Sequence, residues 1–254
     1  MRVIVLEVLR KMTQLRTYNV QIPDGCVSLL VGGVAAGKTR RIHEYLKIKN
    51  DLFEFGHEIH HVFFYYSVWQ TEYTKMNDAG LVQEWVQGFP TNDEFRQKVS
   101  PHERSIVILD DAMSHISREL LEIVTVSARH CKATVFILFQ SLFPVHPLAR
   151  QISLNTRMYH LMKNPRDAQQ IQVLARQIRP RDWRFVVESY QAATAEPYSC
   201  FIIDLLQETP DDLRFRSNIL PNEWPLIVWT AKKKGRKGST FVLKLRLAFS
   251  TIAT

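Results

Sequence analysis

The stretch CVSLLVGGVAAGKTRR, residues 26–41, constrains the fold more than any other part of the chain. A short apolar run leads into Gly32-Gly33-Val34-Ala35-Ala36-Gly37-Lys38-Thr39, which fits G-x-x-x-x-G-K-[ST] at every fixed position. Average composition produces that pattern about once in tens of thousands of positions. Its physical meaning depends on context. Glycines let the backbone curl so that successive N–H groups of residues 32–39 point inward at an anion. The lysine adds a mobile positive charge, and the Thr39 hydroxyl can ligate Mg2+. A strand must precede the loop and a helix must follow it, so that the helix dipole faces the same anion. Residues 26–32 read as a buried strand and 38–54 as a helix, so both conditions are met.

The remaining chain repeats this alternation. Strands are expected at 58–67 (EIHHVFFYYS), 105–111 (SIVILDD), 133–140 (ATVFILFQ), 156–163 and 198–206. Helices are expected at 116–129, at 166–178 and after Pro180, with short helices and loops between 68 and 100. Strands alternating with helices imply βαβ units and a mainly parallel sheet. The near-continuous apolar character of the strands implies a sheet covered on both faces. The expected fold class is therefore α/β, with 1–22 as an N-terminal extension, 23–230 as the main domain and 231–254 as a basic tail.

A phosphate loop of this kind needs an acidic partner for magnesium. The run Ile106-Val107-Ile108-Leu109-Asp110-Asp111 supplies two carboxylates at a strand's end. Asp110 is placed to hold Mg2+ together with Thr39, and Asp111 to orient and polarise an attacking water. Two adjacent acids are tolerable beside a bound cation, which offsets their repulsion. The next apolar strand ends in Gln140. In a parallel sheet that end lies beside the phosphate loop, where an amide can contact a γ-phosphate or the water.

Composition narrows the partners. Net charge is +8, but seven of those charges come from 231–254, which has no acid; the body of the chain is close to neutral. Basicity therefore supports contact with a polyanion only through the tail. Cys26, Cys131 and Cys200 are odd in number and widely spaced, which implies a reducing, intracellular setting without a disulfide framework. The N-terminal run MRVIVLEVLRKM is broken by Glu7 and has no small-residue cleavage site, so it does not read as a secretory signal. No stretch is apolar enough to read as a membrane span.

The order of these motifs resembles the FtsK–HerA superfamily of DNA-pumping ATPases, and within it the genome-packaging ATPases of polinton/Maverick elements, adintovirus-like viruses and poxviruses. The resemblance is carried by VFFYYSVWQTEY, VTVSARHCKATVFILFQSLFP (124–144), ISLNTRMYHLMKNPRDAQQIQVLARQI (152–178) and TPDDLRFRSNILP (209–221). The run Lys163-Asn164-Pro165-Arg166-Asp167 followed by Gln170 is its most specific part. It implies a RecA-like core that binds ATP and Mg2+, assembles as a homo-oligomeric ring, and drives double-stranded DNA into a capsid. It implies too that Lys38, Asp111 and Gln140 serve catalysis. Arg129, ahead of the fourth strand, matches the arginine finger that such rings insert into a neighbour's site. Arg150, Arg157 and Arg166 are further candidates for a finger or for DNA contact, and Asn155 for sensing the nucleotide. Capsid proteins are implied partners, and a host nucleus or virus assembly site is the implied location.

Two positions depart from the family pattern. Relatives usually have glycine where Ala35 stands, and many have glutamate where Asp111 stands. Other features stay open. AKKKGRKG (231–238) suits a nuclear-localisation or nucleic-acid patch and equally a solvated linker. Residues 241–250 alternate like a strand, which fits an edge strand, a docking strand or an imperfect gene model. Trp69 suits either the adenine's surroundings or the core. A nucleotide kinase-type enzyme and an ATP-binding scaffold without motor activity remain as alternatives. A GTPase should carry N-K-x-D, which NPRD (164–167) is not.

Overall fold

The computed structural model describes residues 21–223, 226–231 and 241–245. A ten-stranded sheet runs through them in the order β10-β9-β8-β7-β6-β1-β5-β4-β2-β3. The strands are β1 (Val27–Val31), β2 (Ile59–Tyr66), β3 (Glu84–Gln87), β4 (Arg104–Leu109), β5 (Ala133–Phe139), β6 (Met158–Met162), β7 (Cys200–Asp204), β8 (Phe215–Ser217), β9 (Leu226–Thr230) and β10 (Phe241–Leu245). From β3 across to β6 every neighbouring pair is parallel. From β6 out to β10 every pair is antiparallel.

The central strands are buried on both faces because both are roofed by helices, and the pleat divides their side chains between two cores. Val27, Leu29 and Val31 of β1, Val107 and Leu109 of β4, and Val135, Ile137 and Phe139 of β5 join one cluster. Leu30, Ile106, Ile108, Phe136 and Leu138 join the other. Leu120, Ile123, Val124, Ile171, Leu174, Val186 and Tyr190 of the later helices cover the first. Ile42, Tyr45, Leu46, Tyr73 and Met76 cover the second.

The expected helix over 38–54 ends at Lys47; Ile48 leaves helical geometry and a separate turn, Lys49–Leu52, follows. Phe53 is extended and bridges Ile22, so the chain just before the phosphate-loop strand is tied to the end of this helix. The helix expected over 116–129 begins at Arg118, where the Ser117 hydroxyl accepts from the Leu120 N–H. It widens into a π-helical segment over Ile123–Ser127 before ending at His130. There Thr125 Oγ1 donates to the Leu121 carbonyl at 2.8 Å, a back-bond that competes with regular helix geometry. The short strands β3, β8 and β9 were not expected from the sequence. Among the described residues, no helix is long and apolar enough to cross a membrane.

One consequence of the parallel half matters most. β1, β2, β4, β5 and β6 all point the same way, so their carboxyl ends share one edge of the sheet, the usual location for ligands in open α/β folds.

Candidate active site

The loop after β1 curls as its spacing requires. Gly37 has φ +91° and caps the Lys38–Lys47 helix. A Cβ on Gly32 would come within 2.9 Å of Ala36 Cβ and 3.0 Å of Met162 Cβ, so only glycine fits. Ala35 has φ +59°, a left-handed conformation that costs an L-residue with a Cβ about 1–2 kcal/mol. Glycine there would relieve this strain; here the loop keeps its shape despite it.

Lys38 lies along the loop, its Nζ donating to the carbonyls of Gly32 (2.8 Å) and Gly33 (3.1 Å). Burial pushes its pKa down, while Asp110 and Asp111 oppose that shift. Thr39 Oγ1 donates to Asp110 Oδ2 at 2.9 Å, across 71 residues of sequence. The two groups expected to hold a cation therefore meet. Tyr73 OH donates to the same oxygen at 2.8 Å, and the Asp111 N–H donates to Asp110 Oδ1 at 2.8 Å. Burial raises the pKa of Asp110, and the hydrogen bonds from Tyr73 and Thr39 only partly offset this. Burial also raises the Tyr73 phenol, and Asp110 raises it further. Asp110 is thus a buried carboxylate whose partners are neutral donors. A divalent cation there would add to the charge of Lys38, which alone faces the two aspartates, and the donor set of hydroxyl plus carboxylate suits Mg2+. The glycine cradle and Lys38 suit a phosphate chain. The residues present fit both groups.

Asp111 follows in a left-handed conformation, φ +54°, at the start of a 3₁₀ turn over Ala112–His115. It is half-buried. This uncommon backbone turns the chain sharply after β4, so that adjacent carboxylates take different surroundings.

Gln140 follows β5. The carbonyl of the preceding Phe139 accepts from the Gly32 N–H at 3.2 Å, which sets Gln140 beside the loop with its side chain exposed. Asn164 stands at the carboxyl end of β6. Its Nδ2 donates to the Gln140 carbonyl at 3.2 Å, and its Oδ1 lies 3.4 Å from the Cβ position of Gly33. The Tyr190 hydroxyl accepts from its backbone N–H at 3.1 Å. Gln170, from the same motif, accepts from Ser141 Oγ (3.1 Å) and the Phe143 N–H (2.7 Å), holding the turn after Gln140. Asn164 is therefore the polar side chain of the β6 end, although no role was expected for it individually. The Asn-Pro step in its run was the available signal.

One expectation needs different placement, that for Asn155; Arg129 and Trp69 lie as follows. Asn155 ends the Ala149–Asn155 helix ahead of β6, at the amino edge of the sheet, and its Nδ2 donates to the Gln151 carbonyl. It does not approach the loop. Arg129 is exposed at the end of the helix before β5, beside Gly25, which precedes β1. The seven residues from Gly25 to Gly32 put it about 23 Å along the strand direction from the phosphate loop, too far to serve the site of its own subunit. Trp69 packs into an aromatic cluster with Tyr66, Tyr73 and Trp85, on the far side of Asp110 from β1.

Fold and site together define a class. The phosphate-loop strand β1 and the acid-bearing strand β4 are separated by β5, and the lysine, threonine and aspartate converge at their carboxyl ends. The chain has the RecA-like P-loop NTPase fold. No protein-family model matches the chain, and no curated protein matches it. Among solved structures it is similar to B204, the DNA-packaging ATPase from Sulfolobus turreted icosahedral virus. That match has 15% identity over 72% of this chain and 93% of that one, with a TM-score of 0.49. The genome-packaging NTPase B204 of Sulfolobus turreted icosahedral virus 2, in complex with ATP-gammaS, matches at 16% identity over 76% and 95%, TM-score 0.49. The KaiC-like protein PH0186 from Pyrococcus horikoshii matches at 14% identity over 82% and 92%, TM-score 0.40.

Proposed function

We propose that the chain hydrolyses ATP and couples hydrolysis to translocation of double-stranded DNA, in the manner of FtsK–HerA genome-packaging ATPases. The observation that carries hydrolysis is the meeting of Thr39 and Asp110 at 2.9 Å beside Lys38. Thr39 and Asp110 would hold Mg2+, which would supply neutralisation of the charge on the phosphates. Lys38 exchanges its two loop carbonyls for phosphate oxygens when these arrive. Asp111 accepts a hydrogen bond from the attacking water and takes its proton as the water oxygen bonds to the γ-phosphorus; the bond to the β–γ bridging oxygen breaks, its electron pair leaves on ADP, and the proton passes from Asp111 to the released phosphate. Gln140, braced through its carbonyl by Asn164, senses whether the γ-phosphate is present. Because that contact reaches Gly33 and the turn held by Gln170, phosphate loss changes the load on both.

Arg129 acts in trans. Its distance from its own loop is compatible with insertion into a neighbouring copy's site, and the motif resemblance supports a homo-oligomeric ring in which it does so. DNA in the ring's channel and capsid proteins at its face complete the reading, with activity inside a reducing compartment of a host cell. The DNA step rests on the motif resemblance, Asn164 and Gln170 included.

The test is the steady-state ATPase rate with and without long double-stranded DNA, beside Asp111→Asn. The motor reading expects a several-fold rise with DNA and a dead variant. A rate indifferent to DNA overturns translocation and favours a kinase-type acceptor. Binding without turnover favours the scaffold. Mixing Arg129→Ala with the Lys38→Ala variant should restore part of the activity if the finger works between subunits.

A further inference from the structure

The triphosphate reading fixes one end of a nucleotide and leaves the other end to be placed. The metal end is Asp110 on the β4 side of the loop. In the strand order β4-β5-β1-β6-β7, the remainder of the molecule has to leave on the β6–β7 side, past Gly37. A cavity of about 590 Å³ opens there, lined by Gly37, Arg40 and Arg41 of the loop helix, Tyr198 before β7, and Asn218 and Glu223 after β8. That volume is within the usual range for small-molecule sites.

Tyr198 is the unusual residue of this cavity. Its backbone has φ +64°, a genuine outlier for a bulky side chain. Strain of this kind persists only where the surroundings over-determine it. Here the determinant is Arg41, buried, whose Nη2 donates to the Tyr198 carbonyl at 2.7 Å and pairs with Glu223 Oε1 at 2.5 Å. The result is a ring held against the phosphate loop. Tyr198 Cδ1 lies 2.8 Å from the Cβ position of Gly37, so the ring and an alanine at 37 could not coexist. Yet the residue stays 55% exposed, which packing alone does not require. The Arg40 guanidinium, on an exposed side chain, stands 5.8 Å from the ring centroid.

We infer that Tyr198 is the stacking platform for the nucleobase of the triphosphate, with Arg40 closing over the base's other face and Arg41 positioning the platform. This rests on the P-loop reading above and assigns the other end of the same site. A π-face contact takes any base, since every base has one; the cavity should therefore hold ATP and GTP with similar affinity. Trp69 has no part in it, because it lies beyond Asp110, at the metal end.

The experiment compares binding of ATP and of inorganic tripolyphosphate, each with Mg2+, to the full chain by calorimetry. Tyr198→Ala should weaken ATP by roughly 5- to 100-fold, the range for loss of one base stack, and leave tripolyphosphate unchanged. Tyr198→Phe should restore ATP binding, because it keeps the π-face. Equal ATP affinity in Tyr198→Ala overturns the base platform, as does a matching loss for tripolyphosphate, which would mark a merely structural role. Lys38→Ala separates the two claims. If it weakens both ligands while Tyr198→Ala weakens neither, the platform fails and the P-loop reading stands. If Lys38→Ala binds both as the wild type does, the P-loop reading fails and the platform falls with it.

Discussion

Asp110, after β4 in the parallel half of the sheet, and Asp204, closing β7 in the antiparallel half, are near twins in their hydrogen bonding. Both are almost fully buried, with relative exposures of 2% and 3%. Each takes a backbone N–H on Oδ1, from Asp111 in one case and Leu206 in the other. Each takes a threonine hydroxyl on Oδ2, from Thr39 and Thr209. They differ in the last partner. Asp204 receives Arg216 Nη2 at 2.5 Å, whereas Asp110 receives the neutral Tyr73 hydroxyl. One carboxylate is paired directly with a guanidinium, whereas the other has only Lys38 near it, without a direct ion pair. A buried carboxylate is costly without a counter-charge, so the fold completes one site by itself and leaves the other with room for the cation of the proposed function.

The largest effect should come from breaking the completed pair. Asp204→Asn leaves the buried Arg216 charge uncompensated and should cost about 3–5 kcal/mol, read as a lowered urea midpoint. Asp110→Asn should do the reverse. Thr39 and Tyr73 can rotate their hydroxyls to accept from the new amide, and the burial penalty disappears, so stability should change by less than about 1 kcal/mol. ATPase activity should fall at least about 100-fold, because charge stabilisation at the reacting phosphate is lost. If Asp110→Asn unfolds the protein, or Asp204→Asn leaves it as stable as before, the contrast between the two acids is wrong.

His160 joins the two halves, on β6 between β1 and β7. Its Nδ1 meets the Tyr45 hydroxyl at 3.0 Å. Burial pushes its pKa down to about 3, and Arg41 and Arg216 push in the same direction. The folded form therefore stays neutral while the unfolded chain protonates near pH 6.5. The unfolded state binds more protons between those values, so stability is full above about pH 6.5 and falls toward pH 3, by about 1.4 kcal/mol per pH unit. His160→Asn should flatten that slope in urea melts taken between pH 7 and 4. An unchanged slope would mean that His160 protonates in the folded state.

The smallest effect belongs to Ala35. Glycine there removes about 1–2 kcal/mol of left-handed strain but adds roughly 0.4–1 kcal/mol of chain entropy to the unfolded state. Ala35→Gly should raise stability by between about 0 and 1.6 kcal/mol, seen as a small rise in Tm. A loss of stability would show that the methyl contributes packing within the loop.

Much of the site was legible in the sequence for a physical reason. The phosphate loop is contiguous, and its chemistry depends on spacing within eight residues. Asp110, Asp111 and Gln140 were legible at one remove, since parallel strands of similar length bring their carboxyl ends to one edge. The short strands β3, β8 and β9 were not legible. They span 4, 3 and 5 residues, too few to establish a period, and their pairing is decided by what lies beside them. Asn155 and Asn164 show the limit clearly: nine residues apart, they fall at opposite ends of β6, and only the strand's direction tells which one meets the loop.

The sequence by itself determined a P-loop between a buried strand and a helix, the acids that answer it, and the βαβ alternation that makes the sheet mainly parallel. Each of these signals is local, a matter of spacing and periodicity. Tertiary structure alone decided that Tyr73 completes the shell of Asp110, that Arg129 stands at the edge remote from its own loop, and that Tyr198 rests on Gly37. The bond from Arg41 to the Tyr198 carbonyl spans 157 residues. No local pattern encodes a contact of that separation; it exists because the two helices after β6 return the chain to the loop's side, where β7 begins antiparallel to β6 with Tyr198 just ahead of it.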